Sequence, residues 1–254
     1  MMRLQPPRII RSETALRSED FDDIYYQEAD GLAESRHVFI EGSDLQQRLA
    51  SDEGYRPFVI AELGFGTGLN LLAAIDAFQQ YAPSQSRLSL WSVEGFPLSP
   101  EQLRDIHVSM VARWPELQSA IDLLGSVYPL TRPGQFRLSL SPRISLTLAF
   151  GSALEALSAA EFKADAWFLD GFSPATNPDM WSPELMREVA QHTSSSGTFA
   201  TFTVAGTVRR GLSAAGFSLE RRPGFGRKRE MLTGKFDSAA IPAEQGRKRI
   251  AVIG

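Results

Sequence analysis

The chain has 254 residues, 43% of them hydrophobic, and a formal net charge of −4. That length can bury a full core, and its apolar runs are too short for a membrane-spanning helix or a secretory signal, so a cytoplasmic protein without membrane contact is expected. The absence of cysteine excludes disulfides and thiolate-held metal clusters. His37, His107 and His192 are too scattered for a metal site, so no metal is expected.

The charge is unevenly spread. Residues 205–254 carry eleven Lys or Arg against four Asp or Glu, a charge of +7, which leaves residues 1–204 at −11. An acidic body with a basic C-terminal fifth points either to a polyanionic partner or to a solvated basic face.

In chain order, residues 1–56 form an N-terminal extension expected to pack on the catalytic domain. It contains an aromatic and acidic stretch, Phe21-Asp22-Asp23-Ile24-Tyr25-Tyr26, more polar than a core element should be. Residues 57–63 (PFVIAEL) then predict a first strand, and 69–81 a helix, from apolar residues at helical spacing. Between them stands Glu62-Leu63-Gly64-Phe65-Gly66-Thr67-Gly68-Leu69-Asn70, a glycine-rich strand-to-helix junction. Such junctions let backbone N–H groups and a helix N-terminus approach a ligand. Leu69 stands where a dinucleotide-binding turn needs its third glycine, so a pyrophosphate is disfavoured. The pattern resembles the first motif of Rossmann-like S-adenosylmethionine-dependent methyltransferases.

A second strand over 88–94 ends in Glu94, placed to accept hydrogen bonds from both hydroxyls of a cofactor ribose. Residues 95–143 read as an insertion with helices over 100–114 and 115–124 and a loop holding Pro129, Pro133 and Pro142. The third strand, 144–150, leads to Ser152, where related methyltransferases often have an acidic residue for the adenine amine. The fourth, 164–169, leads to Asp170-Gly171-Phe172-Ser173-Pro174-Ala175-Thr176-Asn177-Pro178-Asp179-Met180-Trp181. A strand-end carboxylate followed by glycine, an aromatic and prolines makes a rigid loop beside the cofactor crevice. Helices over 183–192 and 208–215 and a strand over 198–203 follow. Strands 217–221 and 229–236 are joined by Pro223-Gly224-Phe225-Gly226, too short for a parallel crossover, so they should form an antiparallel hairpin at the sheet edge. The fold class expected is α/β: a seven-stranded, mostly parallel sheet with one antiparallel edge strand, over 57–236.

DGFSPATNPDMW, together with FDDIYYQEADGLAESRHVF near the start and GFGRKREMLTGKF near the end, resembles one family along nearly the whole chain. It is similar to the methyltransferase half of the bifunctional MnmC family of tRNA 5-methylaminomethyl-2-thiouridine biosynthesis. That resemblance implies methyl transfer from S-adenosylmethionine to the aminomethyl nitrogen of the wobble uridine in the tRNA anticodon. It also implies a fused FAD-dependent oxidoreductase domain. Residues 237–254 then read as a linker and, at 249–254 (RIAVIG), the first strand of a truncated flavin-binding unit, with FAD a cofactor only if that domain is present.

The expected cofactor set is Glu62, Gly64, Phe65, Gly66, Thr67, Gly68, Asn70, Glu94, Ser152 and Asp170. Asp170 is the expected catalytic residue, orienting the amine first and accepting its proton second. Phe172, Pro174 and Trp181 are expected to shape the acceptor pocket, and Arg227, Lys228 and Arg229 to contact RNA phosphates. A small-molecule amine methyltransferase and a non-catalytic RNA-binding domain are the alternatives. The basic C-terminal fifth argues against the first, and the glycine turn with Glu94 and Asp170 against the second.

Overall fold

Six consecutive positions of the ADAWFL run are buried, the pattern of a central parallel strand covered on both faces. In the computed structural model, which describes residues 4, 7–12, 14–226 and 228–237, this strand lies within one large sheet. In chain order the strands are β1 (Ile9–Arg11), β2 (Ala15–Ser18), β3 (Asp23–Gln27), β4 (Phe58–Leu63), β5 (Leu88–Glu94), β6 (Gly134–Ser141), β7 (Ile144–Phe150), β8 (Ala164–Leu169), β9 (Thr193–Thr201), β10 (Phe217–Pro223) and β11 (Glu230–Phe236). The large sheet has the order β10-β11-β9-β8-β4-β5-β7-β6, and β1-β2-β3 form a separate antiparallel sheet.

The α/β class and the parallel centre agree with the sequence reading, but the strand count does not. The sheet has eight strands and two reversed ones. β6 pairs antiparallel with β7 at one edge, inside the segment expected to be helices and loop. Pro133 and Pro142 flank this strand rather than interrupt it, which is where a strand tolerates proline. At the other end, β11 is antiparallel to both β9 and β10, so the reversed strand is the inner member of the hairpin and β10 is the edge. Its Met231, Leu232 and Thr233 are buried, as befits a strand with neighbours on both sides. β9 also starts at Thr193, five residues earlier than expected.

Helices α1 (Gly31–Ser35), α2 (Leu45–Ala50), α3 (Leu69–Tyr81), α4 (Pro100–Arg113), α5 (Gln118–Gly125), α6 (Ala153–Ser158), α7 (Pro183–Gln191) and α8 (Gly206–Ala214) cover the sheet. A π-helical stretch, Arg36–Glu41, continues α1. Local signals set several starts: Ser99 and Gln102 form a reciprocal capping box before α4, and Ser182 caps α7 ahead of Pro183. Two apolar layers flank the sheet. One gathers Leu72, Phe78, Leu90, Leu146 and Phe168 with Leu16, Tyr26, Leu32 and Phe39 of the N-terminal extension. The other holds Trp91, Trp167, Trp181, Val189 and Phe199. The extension therefore shares the main core, and β3 reaches the C-terminal ends of β4 and β8, where the site forms. No helix among the described residues is long and apolar enough to cross a membrane. The proposed flavin-binding strand at 249–254 lies outside the described residues.

Candidate active site

β4 delivers Glu62 and Leu63 to the glycine turn, whose Gly64, Gly66 and Gly68 take φ of 89°, 52° and 78°, the left-handed region that glycine occupies without strain. The three glycines serve different neighbours. A Cβ on Gly64 would collide with the carbonyl oxygen of Asp170, so this glycine lets β4 and the end of β8 close on each other. On Gly68 a Cβ would stand 2.9 Å from the ring of Phe65, inside the turn. At Gly66 a Cβ would meet no backbone and would first reach the Tyr25 ring at 3.2 Å, across the cavity.

Beneath the turn runs a buried polar chain. Ser92 Oγ donates to Glu62 Oε2 at 2.7 Å, and Asn70 Nδ2 donates to Glu62 Oε1 at 3.2 Å and to Asp170 Oδ2 at 2.6 Å. Ser35 Oγ, on α1, donates to Asn70 Oδ1 at 2.7 Å. One amide thus ties the first strand of the parallel sheet, the end of β8 and the N-terminal extension together. Burial raises the Glu62 carboxyl well above its usual range, against the hydrogen bond from Ser92. Burial also pushes Asp170 up to about 6; the Asn70 hydrogen bond and the Lys228 charge oppose that rise, and Glu34 and Asp23 add to it. An aspartate in that range is ionised at neutral pH yet far more basic than usual, which suits proton acceptance.

Glu94 ends β5 facing the same turn. Its Oε2 accepts from Gly66 N at 2.7 Å and its Oε1 from Phe96 N at 2.8 Å. Burial raises this carboxyl, opposed by the backbone N–H groups of Phe96, Gly66 and Gly95. Two carboxylate oxygens offer about four lone-pair positions, so the group keeps acceptor capacity toward the cavity.

These groups line one cavity of about 720 Å³ at the C-terminal ends of the parallel strands, the position where open α/β sheets bind ligands. Of the residues the sequence singled out, Gly64, Phe65, Gly66, Thr67, Asn70, Glu94, Ser152, Asp170, Phe172 and Lys228 line it. Glu62 and Gly68 act from beneath. Phe65 is buried with its ring stacked on Tyr128, and Ser152 Oγ caps α6 through Glu155 N. Pro174 and Trp181 are not in the lining. Trp181 is buried in the second apolar layer, and its Nε1 donates to Phe172 O at 3.0 Å, so it supports the loop from behind. Arg229 also stands outside the lining, and Arg227 lies outside the described residues. Lys228 turns inward, its Nζ 2.7 Å from Glu34 Oε1 and 4.3 Å from the centre of the Phe202 ring.

The sequence reading missed the roof. Phe21 stacks on Phe172 with ring centres 4.6 Å apart and meets Phe96 edge-on at 5.0 Å, while Tyr25 meets Phe172 at 5.3 Å. Asp23 Oδ2 accepts from Ser173 N at 2.8 Å. The signal was the aromatic and acidic stretch at 21–26, whose polarity reflects a cavity-facing strand. His107, which carries no expected role, is buried and donates from Nε2 to Thr67 O at 3.0 Å, buttressing the turn; burial holds its pKa down.

Comparison with known proteins matches residues 115–237 to a family model described as an S-adenosyl-L-methionine-dependent methyltransferase. The chain is 48% identical over 227 residues, 89% of its length, to the tRNA 5-methylaminomethyl-2-thiouridine biosynthesis bifunctional protein MnmC of Chromohalobacter salexigens, covering 32% of that protein. To the MnmC of Caulobacter vibrioides it is 43% identical over 249 residues, 98% of the chain and 41% of the relative. The chain thus spans between about a third and two fifths of the length of these relatives. Among solved structures, MNMC2 from Aquifex aeolicus superposes with a TM-score of 0.67 at 24% identity, covering 94% of this chain and 73% of that one, which shows the shared fold. With its glycine turn, strand-end carboxylates and common cavity, the chain carries an S-adenosyl-L-methionine-dependent methyltransferase domain, similar to the corresponding part of the MnmC relatives.

Proposed function

We propose that this domain methylates the aminomethyl nitrogen of 5-aminomethyl-2-thiouridine at the tRNA wobble position. The observation that carries this reading is Asp170, a basic, half-buried carboxylate in the same cavity as the glycine turn and Glu94. The pathway named for the MnmC relatives supplies the tRNA acceptor.

The residues present fit S-adenosylmethionine. Gly66 exposes backbone to the cavity, and Glu94 has lone pairs for the ribose. Ser152 follows the end of β7 on the same cavity wall, where an adenine would lie. When bound, that group supplies an activated methyl on a sulfonium, so the nitrogen lone pair forms the new C–N bond as the S–C bond breaks, leaving a neutral thioether. The protein's share is alignment and deprotonation. A primary amine is mostly ammonium at neutral pH; Asp170 faces the cavity, held by Asn70 on one oxygen, and takes the proton that would otherwise occupy the nitrogen lone pair. The roof of Phe21, Tyr25 and Phe172 keeps water from the reacting groups and offers ring faces to a base withdrawn from its stack. Lys228 of the β10–β11 turn lines the cavity, and Arg229 in that turn with Arg221 and Arg222 on β10 would be the nearby cations to meet RNA phosphates.

The purified domain, methyl-labelled S-adenosylmethionine and tRNA carrying the unmethylated aminomethyl group test this reading. Label should enter the tRNA and not free aminomethyl nucleoside. Cofactor binding without any transfer to this tRNA would refute the proposed acceptor.

A further inference from the structure

Resting on that methyltransferase reading, we propose that Glu34 is the carboxylate that docks the acceptor's ammonium group and that Lys228 is its resident substitute, displaced when the substrate enters. Glu34 lies on α1 next to Ser35, whose hydroxyl holds Asn70 and through it Asp170. Glu34 is therefore fixed to the same scaffold as the catalytic aspartate, and both line the cavity.

The second observation is the cation already there. Lys228 Nζ sits 2.7 Å from Glu34 Oε1 and 4.3 Å from the Phe202 ring centre, an ammonium held between a carboxylate and an aromatic face. That pairing is the chemistry that recognises alkylammonium groups, including methylated ones. The substrate's aminomethyl group, before it loses its proton, presents the same ammonium to the same partners.

The anchoring of the two ions differs. Glu34 has a side chain 22% exposed and comes from a helix packed on α3, whereas Lys228 is 50% exposed and comes from the turn between β10 and β11. The lysine is the partner that can leave, into the phosphate field of an approaching RNA. The charged groups facing Asp170 are Lys228, Glu34 and Asp23. Once Lys228 withdraws, the carboxylates of Glu34, Asp23 and Asp170 are left on the cavity wall, an arrangement that accepts a cationic acceptor and repels an anionic one. Glu34 thereby determines specificity, while Asp170 takes the proton.

The test compares wild type with Glu34→Gln and Lys228→Met. Binding to two anticodon stem-loop oligonucleotides, alike except for the aminomethyl group on the 2-thiouridine, is followed by fluorescence anisotropy, and label transfer is followed in parallel. Wild type should prefer the aminomethyl oligonucleotide. Glu34→Gln should lose that preference and raise the acceptor KM about tenfold, the size of one charge-assisted hydrogen bond, with a smaller change in kcat and unchanged affinity for S-adenosylmethionine. Lys228→Met should act in the opposite direction, strengthening the preference for the aminomethyl oligonucleotide. If both variants weaken it equally, the pair is a tether between α1 and the hairpin, and the inference is overturned. A preference unchanged in Glu34→Gln overturns it too while leaving the methyltransferase reading intact. Failure of the wild type to label the aminomethyl oligonucleotide would instead overturn the reading itself.

Discussion

In the proposed reaction Asp170 takes the proton and Asn70 holds that carboxylate in place. Asp170→Asn keeps the shape and removes the charge, so turnover should fall by about 10² to 10⁴ while S-adenosylmethionine still binds, read by single-turnover transfer beside calorimetry. The pH profile of the wild type should rise through the pKa of about 6 as the carboxylate forms. Stability runs the other way. A carboxyl whose folded pKa is raised contributes most when protonated, below the ordinary value of 3.8, and that contribution is lost as pH climbs through about 6. Asp170→Asn should therefore melt at a higher temperature than wild type at pH values above that range, with the gap closing as pH falls toward the ordinary carboxylate pKa. A gap that stays equal or grows on acidification would show that charge is not what the substitution relieves. Asn70→Ala removes the donor shared by Glu62 and Asp170 and the acceptor of Ser35, and should destabilise by about 1–3 kcal/mol in denaturant unfolding.

At the scale of elements, the strand-turn-helix from β4 to α3 separates two roles that one glycine pattern conceals. Gly64→Ala would drive a methyl into the Asp170 carbonyl at a left-handed φ, so it should cost about 3 kcal/mol or more of folding stability. Gly66→Val also carries the strain of a left-handed φ but meets only the movable Tyr25 ring, so it should lose less stability than Gly64→Ala while losing cofactor affinity, measured by calorimetry. Equal thermal melts for the two variants would contradict this division. The turn, Glu94 and Asp170 were legible in the sequence because each ends or follows an apolar strand with alternating helices. β6 was not, because Pro133 and Pro142 look like loop residues until the strand between them is seen to pair with β7. Nor was the position of β11, since a hairpin sequence does not say which of its arms pairs with the sheet. The roof was half legible: 21–26 stood out as polar and aromatic, but only the packing of Phe21 on Phe172 shows that the extension closes the cavity. The pairing of Lys228 with Glu34 was not legible, because a run of basic residues does not say which of its cations meets a carboxylate of the N-terminal extension.

For the whole molecule, an acidic body carrying a basic C-terminal fifth should bind tRNA through the basic side in a salt-dependent way. Replacing Arg221, Arg222 and Arg229 by alanine should reduce the slope of log affinity against log salt by about 0.7 to 0.9 for each phosphate that is no longer neutralised. An unchanged slope would assign these arginines to intramolecular pairing, such as that of Arg221 with Glu230.

Methylation of a wobble aminomethyl nitrogen in this cavity is to be measured by nucleoside mass analysis of tRNA incubated with the purified chain and S-adenosylmethionine. Wild type should convert 5-aminomethyl-2-thiouridine to its N-methyl product, and Asp170→Asn should leave it unconverted. Unmodified nucleosides after incubation with cofactor-bound wild type, or equal conversion by the variant, would contradict it.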